Sequence, residues 1–173
     1  MIVDAQGAQD RIRVATALLQ AAADHGVTLA IAESLTGGQV SSSLVEVPGA
    51  SRVLVGTVVA YATRIKAQLL GVDAAHLERT GPVDRDVALQ MADGVRRLLG
   101  ADVGLATTGV AGPGPADGHP AGTVHIAVVA PWGQRHRELH LSGDRSQIRC
   151  ATVMEVCELA IGFLQKDECG SQP

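Results

Sequence analysis

Residues 27–47, VTLAIAESLTGGQVSSSLVEV, decide the fold class of this chain. The apolar run over residues 27–33 predicts a buried strand, and residues 39–47 predict a helix that Pro48 and Gly49 end. The loop SLTGG, residues 34–38, joins the two. Because a strand that leads through a short loop into a helix is the repeating unit of α/β proteins, this segment predicts an α/β fold.

Helix and strand patterns alternate along the rest of the chain. Further strands are predicted over residues 52–61, 102–108, 122–130 and 135–142. Helices are predicted over residues 8–25, 63–70 and 73–79, between the cap Asp84 and Gly100, and after the cap Asp144. The last two strands form a hairpin. This order predicts a three-layer α/β/α sandwich around a mixed sheet.

Apolar residues at helical spacing predict which side of each long helix faces the core. They are Ile12, Ala15, Leu18, Leu19 and Ala22 in the first helix, Val87, Met91, Val95 and Leu98 in the helix after Asp84, and Ile148, Thr152, Val156, Leu159 and Phe163 in the last helix. Cys150 and Cys157 share one face of that last helix and are expected to pack in the core.

The length of 173 residues predicts one domain, residues 1–173, with a core over about residues 9–164 and a frayed polar tail over residues 167–173. A chain of this length buries enough surface to fold without disulfides or a structural metal. With 46% hydrophobic and 18% charged residues, the chain is too apolar for a disordered segment. It is also too frequently charged for a membrane span, so no membrane partner is expected.

Charge and aromatic content argue against a nucleic-acid partner. The chain has 14 basic and 18 acidic residues, a net charge of −4, without a basic stripe. Its aromatic residues, Tyr61, Trp132 and Phe163, are too few for a base-stacking platform. Three cysteines without CxxC spacing, and a start without an apolar signal, predict a cytoplasmic location. A homo-oligomer is expected because small enzymes commonly form one.

Two candidate catalytic side chains follow predicted strands. Ser34 follows the strand of residues 27–33 and precedes a helix start, where free N–H groups suit an oxyanion or a phosphate. Lys66 is one of two lysines among the 14 basic residues and lies near a predicted helix start, where the helix dipole and burial both lower a lysine pKa. The alternatives are an N-cap serine and a solvated lysine.

Tyr61 ends the predicted strand that precedes Lys66. Its hydroxyl is placed to orient a Ser34–Lys66 pair or to relay a proton between them. The alternative is a tyrosine packed at a strand end with its hydroxyl in water.

Five sequence motifs in order resemble the CinA C-terminal domain family, which includes the PncC-type nicotinamide-nucleotide amidohydrolases. They are AESLTGG at residues 32–38, the YxxxxK spacing of Tyr61 and Lys66 followed by AQLLGV, TTGVAGPGP at residues 107–115, GTVHIAV at residues 122–128, and GDRSQIR at residues 143–149. The resemblance covers residues 9–164.

The resemblance implies hydrolysis of the carboxamide of nicotinamide mononucleotide to nicotinic acid mononucleotide and ammonia. It implies Ser34 as nucleophile, Lys66 as general base and Tyr61 as an assisting residue, with no metal and no cofactor. Donors at Thr36, Gly37 and Gly38 are then expected to hold the tetrahedral oxyanion.

A nucleotide substrate also carries a ribose and a phosphate, which gives the loop of residues 109–121 a role. Backbone N–H groups from Thr108, Gly109, Ala111 and Gly112 are expected to bind these groups. Arg145 is expected to bind the phosphate, the alternative being solvent or an ion pair. Glu33 either orients the Ser34–Lys66 pair or caps a nearby loop.

One departure from the family pattern motivates a second function. Many members have Asn at the position of Thr63 and Glu at the position of Arg64. The alternative hypothesis is therefore a non-catalytic or regulatory nucleotide-binding domain. A cofactor site at Gly109, Gly112 and Gly114 lacks the GxGxxG order. His136, Glu138 and His140 show the alternation of any half-exposed strand, so no metal is expected.

Overall fold

The structure, a computed structural model, describes residues 5–165; the predicted tail at residues 167–173 lies outside them. The helices of the described range are α1 (Ala5–Asp24), α2 (Gln39–Val45), α3 (Thr63–Leu70), α4 (Ala74–Thr80), α5 (Arg85–Leu99) and α6 (Arg145–Gln165). The strands are β1 (Leu29–Glu33), β2 (Leu54–Val59), β3 (Val103–Gly109), β4 (Thr123–Ala130) and β5 (Gly133–His140). Within these residues, no helix is long and apolar enough to cross a membrane.

The five strands form one mixed sheet in the order β2-β1-β3-β4-β5. Strand β1 is parallel to both β2 and β3, whereas β3, β4 and β5 are antiparallel. Side chains of α1, α2 and α6 pack on one face of the sheet, and those of α3, α4 and α5 pack on the other. The fold is the predicted three-layer α/β/α sandwich.

Two glycines allow α5 to pack closely in its layer. A Cβ on Gly94 would lie 1.9 Å from the carbonyl oxygen of Leu70, at the end of α3. A Cβ on Gly104 of β3 would lie 1.9 Å from the carbonyl oxygen of Ala92 in α5. Since real Cβ atoms do not approach a carbonyl so closely, these two positions hold α3, α5 and β3 in tight contact.

Several predicted boundaries and faces were wrong. Strand β1 begins at Leu29 instead of residue 27, and β2 begins at Leu54 because Ala50–Arg52 forms a turn of 3-10 helix. Leu98 is 50% exposed, because the buried stripe of α5 shifts to its neighbour Leu99, which packs against the core. Ile12 is also exposed. The residues of α6 that were predicted to face the core are all buried, and so is Cys157. Cys150, which was also expected in the core, is only half-buried.

The register of the parallel strands brings three chain segments to one edge of the sheet. Glu33, the last residue of β1, lies opposite Val59 of β2 and Thr107 of β3. Backbone hydrogen bonds continue this pairing one residue further. The Ser34 N–H donates to the Thr107 oxygen at 3.0 Å, and the Ala60 N–H donates to the Glu33 oxygen at 2.8 Å. Because the carboxyl ends of such strands are where ligands bind in α/β folds, this edge is the place to look for a site.

Candidate active site

Ser34 and Lys66 are in direct contact at the carboxyl edge of the sheet. The Nζ atom of Lys66 lies 2.8 Å from Oγ of Ser34 and donates a second hydrogen bond, also 2.8 Å, to the carbonyl oxygen of Ala60. Ser34 directly follows β1, and Lys66 is the fourth residue of α3. The two elements therefore hold a hydroxyl and an amine at the distance needed for proton transfer.

Burial changes the acidity of Lys66. Its side chain is only 1% exposed, and this desolvation lowers its pKa from 10.5 to about 8, while the charge of Asp117 acts in the opposite direction. This is the direction that burial of an amine produces. A lysine with a pKa near 8 is neutral in a substantial fraction of molecules at neutral to mildly alkaline pH, and a neutral amine accepts protons.

Tyr61 is not part of the Ser34–Lys66 contact. Its side chain is 63% exposed, and its hydroxyl accepts a hydrogen bond from Nη2 of Arg145 at 3.1 Å. Arg145 also donates from Nη1 to the carbonyl oxygen of Gly112 at 2.9 Å. Arg145 thus connects Tyr61, after β2, to the loop that follows β3, and the relay by Tyr61 remains a prediction.

A cavity of about 390 Å³ opens beside the pair, a volume typical of small-molecule sites. The residues that line it come from the three strand ends, the segment before α5 and the start of α6. They are Ser34, Leu35, Tyr61, Thr63, Lys66, Pro82, Val83, Thr108, Gly109, Val110, Ala111, Gly112, Pro113, Gly114, Pro115, Ala116, Asp117 and Arg145. The predicted residues Thr108, Gly109, Ala111, Gly112 and Arg145 are all among them.

Some polar groups of the loop after β3 form hydrogen bonds within the protein, and others have no protein partner among the described residues. The Val110 N–H donates to the Thr123 oxygen at 2.9 Å, and the Thr108 hydroxyl donates to the Pro82 oxygen at 2.7 Å. No described residue accepts a hydrogen bond from the N–H groups of Ala111 and Gly112. Both residues line the cavity, so their amides are candidate donors to a ligand.

The predicted oxyanion donors are partly engaged elsewhere. The Gly37 N–H donates to the Ser34 oxygen at 3.1 Å, and the Gly38 N–H donates to the Glu33 carboxylate at 2.9 Å. The Thr36 side chain is buried against Thr107, with 2.8 Å between their hydroxyl oxygens. The four residues Glu33, Thr36, Gly37 and Gly38 do not line the cavity.

Leu35, which was not among the predicted site residues, does line the cavity. Among the described residues, none accepts a hydrogen bond from the N–H groups of Leu35 and Thr36. Arg149 fixes the carbonyl side of both residues, donating to the Leu35 oxygen at 3.0 Å and to the Thr36 oxygen at 2.6 Å. The only sequence signal for Arg149 is its place in the GDRSQIR motif.

Glu33 caps the start of α2. Its buried carboxylate accepts hydrogen bonds from the N–H groups of Gly38, Val40 and Ser41, at 2.9, 3.1 and 2.9 Å, and from the Ser41 hydroxyl. Of the two alternatives for Glu33, the structure shows the capping role, and among the described residues its carboxylate forms no hydrogen bond with the Ser34 or Lys66 side chain.

We expect Glu33→Gln to lower the free energy of unfolding by about 2 kcal/mol, because an amide cannot accept all four hydrogen bonds in a buried site. Urea denaturation followed by circular dichroism measures the change. Glu46→Gln, an exposed change at the end of α2, is the control. An unchanged denaturation midpoint in Glu33→Gln would contradict this role.

The strand residues considered as metal ligands do not converge. His136 pairs with His125, Nε2 to Nδ1 at 2.9 Å, whereas His140 lies 3.4 Å from the Glu138 carboxylate. In the part of the chain that the structure describes, three potential ligand atoms come together at His76, Asp84 and Asp86. Asp84 there already caps α5 by accepting from the N–H groups of Asp86 and Val87.

Fold and site together define the class of this protein: an α/β/α domain with a hydrogen-bonded serine–lysine pair beside a small-molecule cavity. Solved structures share this architecture. A competence/damage inducible protein from Agrobacterium tumefaciens is 35% identical, with a TM-score of 0.85 over 90% of this chain and 96% of that one. A CinA superfamily protein from Escherichia coli is 30% identical, with a TM-score of 0.83 over 93% of this chain and 94% of that one.

The model of the CinA C-terminal domain matches residues 11–164, and the chain belongs to this family. A competence-damage inducible protein of Desulforamulus reducens is 46% identical over 158 residues, which is 91% of this chain and 38% of that protein. A CinA-like protein of Frankia casuarinae is 48% identical over 135 residues, 78% of this chain and 31% of that protein. The chain thus spans about a third of the length of these relatives.

Proposed function

We propose that this domain hydrolyses the carboxamide of nicotinamide mononucleotide, producing nicotinic acid mononucleotide and ammonia. The observation that carries the proposal is the 2.8 Å contact between Lys66 Nζ and Ser34 Oγ on the wall of a 390 Å³ cavity. An amide is a poor electrophile, so its hydrolysis needs an activated nucleophile, which a hydroxyl beside a partly neutral amine provides.

The reaction proceeds in two halves. Neutral Lys66 takes the proton of the Ser34 hydroxyl as Oγ attacks the carboxamide carbon, and the C=O bond opens to a tetrahedral oxyanion. The Lys66 ammonium then protonates the nitrogen as the C–N bond breaks, which releases ammonia and leaves an ester on Ser34. A water molecule, deprotonated by Lys66, attacks this ester, and collapse of the second tetrahedral intermediate releases the carboxylic acid and returns the proton to Oγ.

A backbone amide beside Ser34 supports the oxyanion in this proposal. The Leu35 N–H belongs to a residue that lines the cavity and has no acceptor among the described residues, whereas the N–H groups of Gly37 and Gly38 are engaged within the loop. The amide of the residue after a nucleophile is a recurrent oxyanion donor in hydrolases. Arg149 donates to the carbonyl oxygens of Leu35 and Thr36 and so holds in place the loop that carries the Leu35 amide.

Other residues that line the cavity support binding of the ribose and the phosphate. Arg145 is exposed and lines the cavity, and its guanidinium has further donors beyond the two engaged with Tyr61 and Gly112. The N–H groups of Ala111 and Gly112 complete a set of donors suited to an anion.

The alternative function, a non-catalytic nucleotide-binding domain, rests on the family departures at Thr63 and Arg64. Thr63 lines the cavity, whereas Arg64 is exposed, lies 3.5 Å from Gln68 on the surface of α3 and does not line the cavity. The changed charge at Arg64 therefore lies away from the serine–lysine pair. The intact contact between Ser34 and Lys66 favours the amidohydrolase.

Incubation of the purified protein with nicotinamide mononucleotide, in a chelating buffer, tests the proposal. We expect equal amounts of ammonia, measured by a coupled enzymatic assay, and nicotinic acid mononucleotide, measured by mass spectrometry. Lack of both products, together with binding of the nucleotide in calorimetry, would favour the non-catalytic alternative.

A further inference from the structure

The cavity wall carries one carboxylate, and the proposed reaction does not use it. Of the residues that line the cavity, Lys66 and Arg145 are basic and Asp117 is the acidic one. A carboxylate at the mouth of a site that binds a phosphate weakens phosphate binding by repulsion. The same carboxylate attracts a positive group on a ligand.

The turn that carries Asp117 is tightly defined. Ala116 and His119 exchange two backbone hydrogen bonds, of 3.0 and 2.9 Å, around the two residues Asp117 and Gly118. Both central residues have positive φ, 50° and 79°, as a type I′ turn requires. Among residues 5–165, Asp117 is the one residue other than glycine that has a positive φ. Aspartate tolerates this conformation better than most residues do.

The Asp117 carboxylate has no protein partner within the described residues. The two basic groups of the cavity are engaged elsewhere: Lys66 with Ser34 and Ala60, and Arg145 with Gly112 and Tyr61. The Asp117 charge nevertheless acts on Lys66, whose pKa it raises. The carboxylate thus faces the cavity unpaired and lies within electrostatic reach of the reacting amine.

We propose that Asp117 recognises the positive charge of a pyridinium ring and restricts this site to N-substituted pyridinium carboxamides over neutral amides of the same shape. The inference rests on the proposed function. In nicotinamide mononucleotide, the ring nitrogen is quaternary and lies two bonds from the carbon that carries the carboxamide. With the carboxamide at Ser34, the ring cation therefore lies a few ångströms from Ser34 and Lys66. The Asp117 carboxylate acts electrostatically on this region, as its effect on Lys66 shows.

The charges of the cavity match those of such a ligand. The phosphate pairs with the guanidinium of Arg145, and the ring cation pairs with the carboxylate of Asp117. The uncharged carboxamide lies beside the serine–lysine pair. Reduction of the ring to the dihydropyridine removes the positive charge and leaves the carboxamide, ribose and phosphate in place. The oxidised and reduced mononucleotides are therefore a matched pair of probes.

Calorimetry with both nucleotides on Ser34→Ala and on Ser34→Ala/Asp117→Asn tests the inference without turnover. In Ser34→Ala, we expect the oxidised mononucleotide to bind about fivefold more tightly than the reduced form, and less so at high salt, as for an exposed ion pair. Asp117→Asn is expected to reduce this ratio to less than about twofold, mainly by weakening the oxidised form. Glu78→Gln in the same background removes an exposed carboxylate outside the cavity and is expected to leave the ratio unchanged.

Two outcomes would overturn the inference: similar affinities of Ser34→Ala for the two nucleotides, or a ratio that Asp117→Asn does not change. These binding measurements test the role of Asp117, whereas the hydrolysis assay on the unsubstituted protein tests the proposed reaction. An enzyme that releases ammonia without preferring the cationic ring contradicts only the role of Asp117. A protein that prefers the cationic ring without releasing ammonia contradicts only the proposed reaction.

Discussion

Ser34→Ala is expected to lower kcat for carboxamide hydrolysis by at least about 10³-fold, because the variant has no oxygen with which to form the ester intermediate. The fold should survive, since the hydroxyl contributes one hydrogen bond, to Lys66, worth about 1 kcal/mol. The dissociation constant of nicotinamide mononucleotide should stay within about threefold, because the Ser34 hydroxyl contributes little to ground-state binding. Rates of ammonia release and calorimetric titration measure the two quantities.

Ser42→Ala provides the matched control for this loss. Ser42 is exposed on α2, so the same chemical change outside the cavity should leave kcat unaltered. Rapid acid quench of the unsubstituted enzyme should also yield a peptide containing Ser34 with the mass of the nucleotide ester. Retention of more than about a tenth of kcat in Ser34→Ala would exclude Ser34 as the nucleophile.

The sequence predicted the layer architecture and the place of the site because both depend on local patterns. The strand, loop and helix of residues 27–47 fix the position of Ser34 at a strand end, and a second strand that leads into a helix fixes Lys66. Parallel strands then bring the two residues to one edge, whatever their separation in sequence. Hydrophobic spacing also identified the buried face of α6, from Ile148 to Phe163.

Errors arose where the direction of a side chain or the partner of a polar group decides the role. Glu33 and Ser34 are adjacent, yet in an extended strand their side chains point to opposite faces, so Glu33 points to α2 and Ser34 to α3. Tyr61 is exposed, and its hydroxyl accepts a hydrogen bond from Arg145, 84 residues further along the chain. Asp117 had no sequence signal beyond a short Asp-Gly turn, since its importance depends on which cavity the turn borders.

Lys66→Arg is expected to lower kcat by at least about 10³-fold at every pH, because a guanidinium does not lose its proton in the accessible range and so cannot act as the base. In the unsubstituted enzyme, kcat/KM should rise with pH and level off above the Lys66 pKa of about 8. The direction follows from the chemistry: the neutral amine is the active form, and protonation removes it as pH falls. Asp117→Asn should move this midpoint to lower pH, because the Asp117 charge raises the Lys66 pKa.

Arg64→Ala is the control on the same helix, since Arg64 is exposed and does not line the cavity. Its pH profile should overlay that of the unsubstituted enzyme. A profile that stays flat between about pH 7 and pH 9, or that falls as pH rises, would contradict Lys66 as the general base, even if Lys66→Arg were inactive through misfolding. The midpoint of the pH profile of kcat/KM is therefore a more specific test than the activity of Lys66→Arg. It reports the pKa of Lys66, which the fold lowers by burying this amine beside the Ser34 hydroxyl.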